Sequence, residues 1–378
     1  MSTVRGFVSA CVMSASLLAS AQTTINGSIL HDGLQRDYIL YVPAIYNAAS
    51  PVPLVFNLHG YTSSNIAQLF YGEFRPIADT ANFILCAPNG TLDGQGNRFW
   101  DAFGAGVVDD LGFITALIDH ISTQYSIDAN RVYSTGMSNG GFMSYDLACF
   151  RSERFAAIAS VTGTMTLARL AQCNATHPTP VMQIHGTADG TVQYTGSTGV
   201  SAIEPLVAHW VQFNNCNPTP AFTALPNVNV TDGCTAEHYL YTGGTSGSTV
   251  EFYKIIGGGH TWPGAPVTIG ITNQDFSASK EIWRFFRQYI LGTLTGLSEA
   301  EANAPSFTIG PNPSADLFHL RFADARTRTI TVTDAMGRLV SEQRTSGSAV
   351  ELRVEEQGCY FVTVLDGKKT ETQRVVKL

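Results

Sequence analysis

The sequence predicts two parts: a doubly wound, mostly parallel α/β sheet, followed by a small antiparallel β-sandwich. Between Thr24 and Trp283, short β-type runs alternate with longer segments of helical periodicity, the pattern of a parallel sheet covered by helices on both faces. After Gly292 the pattern changes to short β-type runs separated by turn residues, without a convincing helix, as in a sandwich. A chain of 378 residues is long enough for an enzyme-sized domain and a smaller one.

Hydrophobic periodicity predicts the individual elements. In the front part the predicted strands are Asp37–Val42, Leu54–Leu58, Phe83–Ala87, Arg131–Thr135, Ala156–Ser160, Val181–His185 and Val250–Ile255. The predicted helices are Asp109–Tyr125, Asn139–Phe150, Pro205–Asn214 and Ser277–Leu291. In the tail the predicted strands are Leu317–Phe322, Thr329–Thr333, Ala349–Val354 and Tyr360–Leu365. Doubly wound sheets carry their active sites at the carboxyl ends of the strands.

Residues 1–21 have the order of a secretory signal peptide. Arg5 precedes a mostly apolar run from Phe7 to Leu18, and Ala19-Ser20-Ala21 supplies a small-residue cleavage site. The run is well short of the roughly 20 apolar residues that a bilayer requires, so we expect a secreted protein without a transmembrane segment. The predicted domains are 22–293, a linker at 294–305 and the tail at 306–378.

The formal charge of −8 is concentrated in the front domain. Residues 22–305 hold eleven Lys or Arg and twenty-one Asp or Glu, whereas residues 306–378 hold ten and nine. An acidic surface repels phosphate backbones and anionic headgroups. We therefore expect no nucleic-acid partner and no membrane-surface partner, and a neutral or weakly charged ligand. A monomer is also expected.

Of the seven cysteines, six remain once Cys11 leaves with the signal peptide. Thiols can pair outside the cytosol. Cys149 with Cys173, and Cys216 with Cys234, are close in sequence and bracket loop-like segments, so two disulfides are expected. Cys86 lies in an apolar run and is expected to be a buried thiol. No Cys/His spacing resembles a zinc site, so no metal is expected.

The strongest local motif is Gly136-Met137-Ser138-Asn139-Gly140, which follows the apolar run Arg131–Thr135 and opens a predicted helix. A strand, a sharp turn and a helix form the context of a nucleophile elbow. Its glycines leave room for the neighbouring turn, and the strained turn lifts the serine hydroxyl above the sheet edge. Ser138 is therefore the candidate nucleophile. A structural serine is the alternative, because this short motif also occurs by chance.

A serine hydroxyl needs a base to remove its proton during attack. His260 is the candidate, because it follows the strand Glu251–Ile256 on a glycine-rich loop. Asp189, just beyond the strand Val181–His185, would orient the imidazole and gives the chain order Ser, Asp, His. The alternative for Asp189 is a turn aspartate that caps its own backbone. His185, followed by glycine at a strand end, is assigned a structural role, and so is His59.

Negative charge that develops on a substrate oxygen needs hydrogen-bond donors already in place. The backbone N–H of Asn139, at the start of the helix after the nucleophile, is one candidate. The second should come from the loop after Leu54–Leu58. There the Tyr61 N–H is the first choice and the Thr62 N–H the second.

These motifs resemble the secreted α/β-hydrolase esterases grouped around extracellular polyhydroxybutyrate depolymerases and feruloyl or acetylxylan esterases. The matching segments are 38–43, 58–60, 99–101, 108–110, 136–141, 185–189 and 258–264. The resemblance implies an α/β-hydrolase fold without a cofactor, with the nucleophile, acid and base at Ser138, Asp189 and His260. It leaves open whether the substrate is a polyester or a phenolic or acetyl ester on plant polysaccharide.

Aromatic side chains near these motifs could pack against either a ferulate ring or an aliphatic polyester. The aromatic residues concerned are Phe99, Trp100, Tyr61 and Trp262, of which Trp100 and Trp262 are the candidate substrate-binding residues. Ordinary core packing is the alternative for both. The front domain as a whole has two alternatives, a serine peptidase of the prolyl oligopeptidase type and a non-catalytic surface binding protein on the same fold.

The tail resembles the C-terminal sorting domain that Bacteroidetes use for export through the type IX secretion system. The segments that carry the likeness are 310–314, 330–334, 336–337, 358–362 and 374–378. The resemblance implies the secretion machinery as a partner, an extracellular or cell-surface location, and no part in catalysis. The alternative is a carbohydrate-binding β-sandwich, although the tail shows no aromatic cluster of the kind that grips sugar rings.

Overall fold

The computed structural model describes residues 22–292, 307–322, 324–334, 338–366 and 369–378. The predicted signal peptide and the predicted linker lie outside these residues, so both stay predictions. The chain divides into two compact units, Met1–Gly296 and Leu297–Leu378. Within the described residues, no helix is long and apolar enough to cross a bilayer.

The first unit contains twelve strands and seven α-helices among its described residues. Its strands are β1 (Thr23–His31), β2 (Leu34–Val42), β3 (Val52–Leu58), β4 (Ile84–Pro88), β5 (Thr91–Leu92), β6 (Arg98–Phe99), β7 (Ile127–Met137), β8 (Ala157–Val161), β9 (Val181–Gly186), β10 (Ala221–Ala224), β11 (Thr235–Tyr241) and β12 (Val250–Ile256). Its helices are α1 (Asn65–Tyr71), α2 (Arg75–Ala81), α3 (Asp110–Gln124), α4 (Asn139–Phe150), α5 (Leu167–Ala171), α6 (Ile203–Phe213) and α7 (Ala278–Phe286).

Ten of these strands form one mixed sheet in the order β1-β2-β4-β3-β7-β8-β9-β12-β11-β10. Six neighbouring strands of this sheet are parallel to one another: β4, β3, β7, β8, β9 and β12. Antiparallel strands extend the sheet at both edges. The predicted fold class is confirmed. Because β7, β9 and β12 run in the same direction, the segments that follow them emerge at the same edge of the sheet.

Helices cover both faces of the sheet and form two apolar cores. On one face α3, α4 and α6 bury side chains such as Phe113, Leu147 and Trp210. On the other face α1, α2 and α7 bury side chains that include Leu69 and Phe285. The central strands are buried on both faces and were predictable as continuous apolar runs.

The elements that the sequence did not predict in this unit are short or lie at or next to the edge of the sheet, as β11 does. Helices α1, α2 and α5 have only seven, seven and five residues, too few to show a helical period. Strand β1 is largely exposed and pairs with β2 alone, so its sequence carries little apolar pattern.

The second unit consists of antiparallel strands among its described residues. They are β13 (Phe307–Gly310), β14 (Leu317–Phe322), β15 (Arg328–Asp334), β16 (Leu339–Thr345), β17 (Ala349–Arg353), β18 (Gly358–Asp366) and β19 (Lys369–Lys377). One sheet has the order β13-β14-β17 and the other β16-β15-β18-β19. A core that includes Phe318, Ile330 and Val362 belongs to both sheets, which confirms the predicted β-sandwich. Strands β13, β16 and β19 were not predicted.

One of the two expected disulfides is formed. Cys149 and Cys173 are bonded, with their Cα atoms 4.8 Å apart. The expected bond between Cys216 and Cys234 was wrong, because both are free buried thiols. Cys234 immediately precedes β11, whereas Cys216 Sγ contacts the Ser248 carbonyl near the far end of that strand. A seven-residue strand is about 20 Å long, and bridged Cα atoms lie within about 7 Å. Cys86 is a buried free thiol, as expected.

Candidate active site

The nucleophile elbow is formed by the last residue of β7, Ser138 and the first turn of α4. Ser138 has φ 54° and ψ −120°, a conformation that side chains rarely adopt and that stores strain at functional sites. Its N–H donates to the Val161 carbonyl at 2.8 Å, and its carbonyl accepts from Gly141 and Phe142. The backbone is therefore held from both sides, so the strained turn persists.

Two glycines make this turn possible because there is no room beside it for a side chain. A Cβ at Gly140 would lie 2.2 Å from the Leu58 carbonyl oxygen. A Cβ at Gly136 would lie 2.6 Å from the carbonyl carbon of Gly140 and 2.7 Å from the Leu58 oxygen. The close approach of β3, β7 and α4 thus explains the glycines that the motif requires.

Asp189 and His260 meet at the carboxyl edge of the sheet. His260 Nδ1 lies 2.8 Å from Asp189 Oδ2, and the carboxylate, which only accepts when ionised, orients the ring with Nδ1–H toward it. Nε2 is then the nitrogen that can act as a base. The His260 side chain is 19 % exposed, whereas that of Asp189 is fully buried, so the base can reach a ligand and the acid is shielded from water.

The loop after β9 holds the carboxylate of Asp189. Oδ1 accepts the N–H of Thr191 at 2.9 Å and of Val192 at 2.8 Å, while His185 Nε2 lies 3.3 Å from Oδ2. Burial opposes ionisation, but the interactions with His185 and His260 outweigh it and hold the pKa of Asp189 well below its usual range. The carboxylate is therefore charged wherever the imidazole could act.

The described residues contain no hydrogen bond between the Ser138 hydroxyl and His260. Asp189 and His260 are hydrogen-bonded to each other. Ser138 lies on the elbow beside Gly60, where an added Cβ would be 3.3 Å from Ser138 Cβ. Catalytic hydrogen bonds of this kind are often long in the absence of substrate and tighten when it binds. The assignment of Ser138, Asp189 and His260 as one catalytic group is accordingly carried forward as a proposal.

The loop that follows β3 lies against the elbow and contains both candidates for the second oxyanion donor. Thr62 N–H donates to the Arg98 carbonyl at 2.9 Å, so the second choice for the oxyanion donor is already occupied. The Tyr61 N–H has no such backbone partner among the described turns and loops. Asn139 is the first residue of α4, and the first N–H groups of a helix lack partners within it. Tyr61 and Asn139 stay the predicted pair of donors.

The two tryptophans belong to the apolar cores of the first unit. Trp100 is fully buried and Trp262 is 1 % exposed, so the alternative of core packing applies and the predicted contact with substrate was wrong. Trp100 Nε1 donates to the His59 carbonyl at 2.9 Å, and Trp262 Nε1 donates to Ser279 Oγ at 3.1 Å. Apolar residues around motifs cannot be assigned to surface or core from sequence because burial depends on tertiary packing.

Two aromatic residues in segments next to the elbow are exposed, Tyr61, which the sequence suggested as a substrate contact, and Phe103, which it did not. The side chains of Tyr61 and Phe103 are 48 % and 52 % exposed. Phe103 packs on Phe142, with ring centroids 5.1 Å apart, and Phe142 donates its N–H to the Ser138 carbonyl. Tyr61 follows Gly60. Both residues therefore belong to segments that contact the elbow.

The fold and the placement of these side chains define the α/β-hydrolase class. The family described as Phospholipase/Carboxylesterase matches residues 102–214. Probable feruloyl esterase C of Aspergillus oryzae is 32 % identical over 204 residues, which cover 52 % of this chain and 68 % of that protein. The chain belongs to the carboxylesterase family that includes feruloyl esterase C.

Other comparisons agree on the family and the fold. The bifunctional acetylxylan esterase/xylanase of Neocallimastix patriciarum is 28 % identical over 77 % of this chain. Probable feruloyl esterase C of Aspergillus clavatus is 34 % identical over 50 % of it. The matches span 38 % and 65 % of these two proteins. The structure of acetyl xylan esterase from Aspergillus awamori shares the fold, with a TM-score of 0.51 and 16 % identity over 70 % of this chain and 99 % of that one.

The second unit matches a different family. Residues 308–378 match the family described as Secretion system C-terminal sorting domain. This match covers all but the first residues of the predicted tail and agrees with its resemblance to sorting domains.

Proposed function

We propose that the first unit is a serine carboxylic-ester hydrolase in which Ser138 is the nucleophile, His260 the base and Asp189 the acid. The hydrogen bond between His260 Nδ1 and the buried Asp189 carboxylate carries the proposal, because it leaves Nε2 as the only ring nitrogen free to take a proton. Substrate binding would bring the Ser138 hydroxyl to Nε2. A peptidase of the prolyl oligopeptidase type and a silent binding protein remain the alternatives.

The proposed reaction has two acyl-transfer steps. Ser138 Oγ bonds to the ester carbonyl carbon while its proton passes to His260 Nε2, and the imidazolium then protonates the departing alcohol as the C–O bond breaks. Water attacks the acyl-enzyme with His260 again taking the proton, and the acid leaves as the Ser138 hydroxyl is restored. The N–H groups of Tyr61 and Asn139 would stabilise the negative oxygen in both steps.

Replacement of Ser138 by Ala tests this assignment. Turnover of p-nitrophenyl acetate should fall by about a millionfold, as in other triad enzymes that lose the nucleophile. A fluorophosphonate probe should label the wild-type protein at Ser138 and leave the variant unlabelled. A variant that hydrolyses the ester at the wild-type rate would remove Ser138 from the mechanism, and an unlabelled, inactive wild-type protein would favour a binding function.

For the substrate, we propose esters of plant cell-wall polysaccharide. The support comes from the named activities of the relatives, feruloyl and acetylxylan esterases, and from the exposed rings of Tyr61 and Phe103 beside the elbow. An aromatic pair contributes about 0.5–1.5 kcal/mol beyond its buried area, so a ferulate ring on Phe103 should be worth up to about tenfold in kcat/KM.

A matched pair of Phe→Ala variants tests the phenolic substrate. Phe103→Ala should lower kcat/KM for ethyl ferulate by up to about tenfold while leaving p-nitrophenyl acetate almost unaffected. Phe222 on edge strand β10 is 56 % exposed, so Phe222→Ala is the control and should change neither rate. Equal effects of the two variants on ethyl ferulate would contradict a phenolic contact at Phe103.

A polyester is the second candidate substrate, favoured by an exposed apolar patch beside the His260 loop. Its side chains, each at least 45 % exposed, are Val228, Val230, Val267, Ile269 and Ile271. The Ile271 carbonyl accepts the Gly259 N–H at 2.9 Å, so the patch adjoins the residue before the proposed base. Aliphatic side chains without aromatic rings suit an aliphatic polymer. Activity on polyhydroxybutyrate film that exceeds activity on acetylated xylan and ethyl ferulate would favour this candidate.

We also propose that the second unit directs export through the type IX secretion system. The sorting-domain match to residues 308–378 supports this role. In a host that has this machinery, the full chain should appear at the cell surface or in the medium, and a chain ending at residue 305 should stay in the periplasm. Equal export of both would exclude a sorting role.

A further inference from the structure

His185 makes a second contact with the proposed catalytic carboxylate. Its side chain is completely buried, and Nε2 lies 3.3 Å from Asp189 Oδ2, the same oxygen that faces His260 Nδ1 at 2.8 Å. We propose that His185 is a positioning residue, which holds the loop of Asp189 through a neutral imidazole protonated at Nε2. The inference rests on the proposed function.

Gln183 determines which nitrogen of His185 carries the proton. Its Nε2 lies 3.0 Å from the Gly163 carbonyl and 3.1 Å from His185 Nδ1. A carbonyl oxygen only accepts and an amide NH₂ only donates, so His185 Nδ1 must accept and the proton must be on Nε2. The Tyr145 hydroxyl donates to the amide oxygen at 2.7 Å, which fixes the amide in the same orientation.

The Nε2–H of His185 serves the loop that follows β9. It donates to the Val192 carbonyl at 2.8 Å, and the N–H of Val192 donates to Asp189 Oδ1 at 2.8 Å. Val192 is thus held by His185 through its carbonyl, and it holds the Asp189 carboxylate through its N–H. The Nε2–H of His185 also presents its positive end to Asp189 Oδ2, where it competes with His260 for that oxygen.

This arrangement differs from general core packing because it acts on the carboxylate at a named atom. Tyr145, Gln183 and His185 have no exposed surface, so water does not replace a lost donor. Among the described residues, the titratable groups that face Asp189 are His185 and His260, and the other hydrogen bonds to its carboxylate come from the N–H groups of Thr191 and Val192. Loss of the His185 donor should therefore disturb the orientation and charge of Asp189.

Two amide variants separate positioning from packing. The side chain of Gln can place its NH₂ close to the position of Nε2, whereas the shorter Asn ends near Nδ1. His185→Asn should lower kcat for p-nitrophenyl acetate roughly tenfold to a hundredfold, the usual effect of a lost supporting hydrogen bond, with KM nearly unchanged. His185→Gln should recover most of that loss. Both variants lack the ring, so their Tm should fall together.

The pH profile gives a readout that a structural role would not move. Without the competing donor, Asp189 Oδ2 interacts more strongly with protonated His260, so the acid limb of kcat/KM should move to higher pH in His185→Asn and stay in place in His185→Gln. Wild-type kcat in His185→Asn, or equal losses of kcat in both variants without movement of the limb, would overturn the inference. Failure of the proposed function would instead appear as wild-type turnover in Ser138→Ala.

Discussion

Replacement of Asp189 by Asn should inactivate the enzyme by reversing the proton arrangement of His260. The two carboxylate oxygens have different partners, so the structure determines how the amide must lie. Oδ1 accepts two backbone N–H groups, from Thr191 and Val192. An NH₂ at Oδ1 would face two donors at 2.9 and 2.8 Å, whereas at Oδ2 it would face one more distant donor, the His185 Nε2–H at 3.3 Å. The amide oxygen should therefore take the place of Oδ1 and the NH₂ that of Oδ2.

The NH₂ of the introduced amide would then face His260 Nδ1, which now lies 2.8 Å from Oδ2. An amide NH₂ only donates, so Nδ1 becomes the acceptor and the proton moves to Nε2. The nitrogen that should receive the Ser138 proton is then already protonated. In other triads this wrong tautomer costs about 10⁴ in kcat, which corresponds to about 5.4 kcal/mol of transition-state stabilisation.

The measurement is kcat for p-nitrophenyl acetate at pH 7.5, with circular dichroism to verify folding. Asp119→Asn is the control, because Asp119 is 67 % exposed and, among the described residues, forms its ion pair with Arg154 on the surface, where such a pair contributes about 1 kcal/mol or less. That control should keep wild-type kcat. A folded Asp189→Asn protein that retains more than about a tenth of wild-type kcat would refute the argument, since no tautomer reversal of the base is compatible with such a rate.

Three further predictions concern ionisation, the disulfide and the free thiols. Since the interactions with His185 and His260 hold the pKa of Asp189 well below its usual range, Asp189 stays ionised above that depressed pKa. The profile of kcat/KM between pH 4 and 8 should therefore show one acid limb of unit slope, and a slope of two would contradict this. Replacing Cys149 and Cys173, which are 24 residues apart, by Ala should lower the free energy of unfolding by about 3.5 kcal/mol in the chain-entropy account, measured by urea denaturation with and without reductant. In the native protein the free thiols Cys216 and Cys234 should resist alkylation, because burial raises the pKa of each to about 11. Rapid alkylation of either, or an unchanged unfolding midpoint on reduction, would contradict the assigned cysteine states.

The centre of the fold was predictable because its strands are buried on both faces. Leu54–Leu58 and Val181–His185 are mostly apolar runs. Both strands begin and end within a residue or two of the predicted bounds. Edge strands such as β10 were missed because all four of its residues are exposed, so no apolar run marks it. In the first unit, an apolar run thus marks a strand where both of its faces are covered.

The candidate site was predictable only where chain order restricts geometry. Ser138, Asp189 and His260 each follow a parallel strand, so topology alone brings them to one edge. The contact of His185 with Asp189 depends on how the loop after β9 turns back on its own strand, which glycine and turn residues permit but do not dictate. Whether Cys216 and Cys234 can form a disulfide depends on the position of β11. The two cysteines are near in sequence, but they lie by opposite ends of this strand.

The side chains of three residues in or beside the motifs, His59, Trp100 and Asn139, hold the proposed oxyanion loop. Burial lowers the pKa of His59 to about 4, so its neutral ring can donate from Nδ1 to the Gly60 carbonyl at 2.7 Å and accept the Gly90 N–H at Nε2. The Asn139 side chain forms two hydrogen bonds with the backbone of Trp100, at 2.6 and 3.0 Å.

These contacts connect the loop of Tyr61 to the first turn of α4, which are the two proposed sources of oxyanion donors. Trp100 forms the connection, because its indole N–H donates to the His59 carbonyl while its backbone pairs with Asn139. Donors that are fixed before the reaction require no reorganisation when charge develops, which is the main source of their catalytic effect. Trp100 therefore has a consequence at the site although it is buried: it connects the segments that carry the two proposed donors.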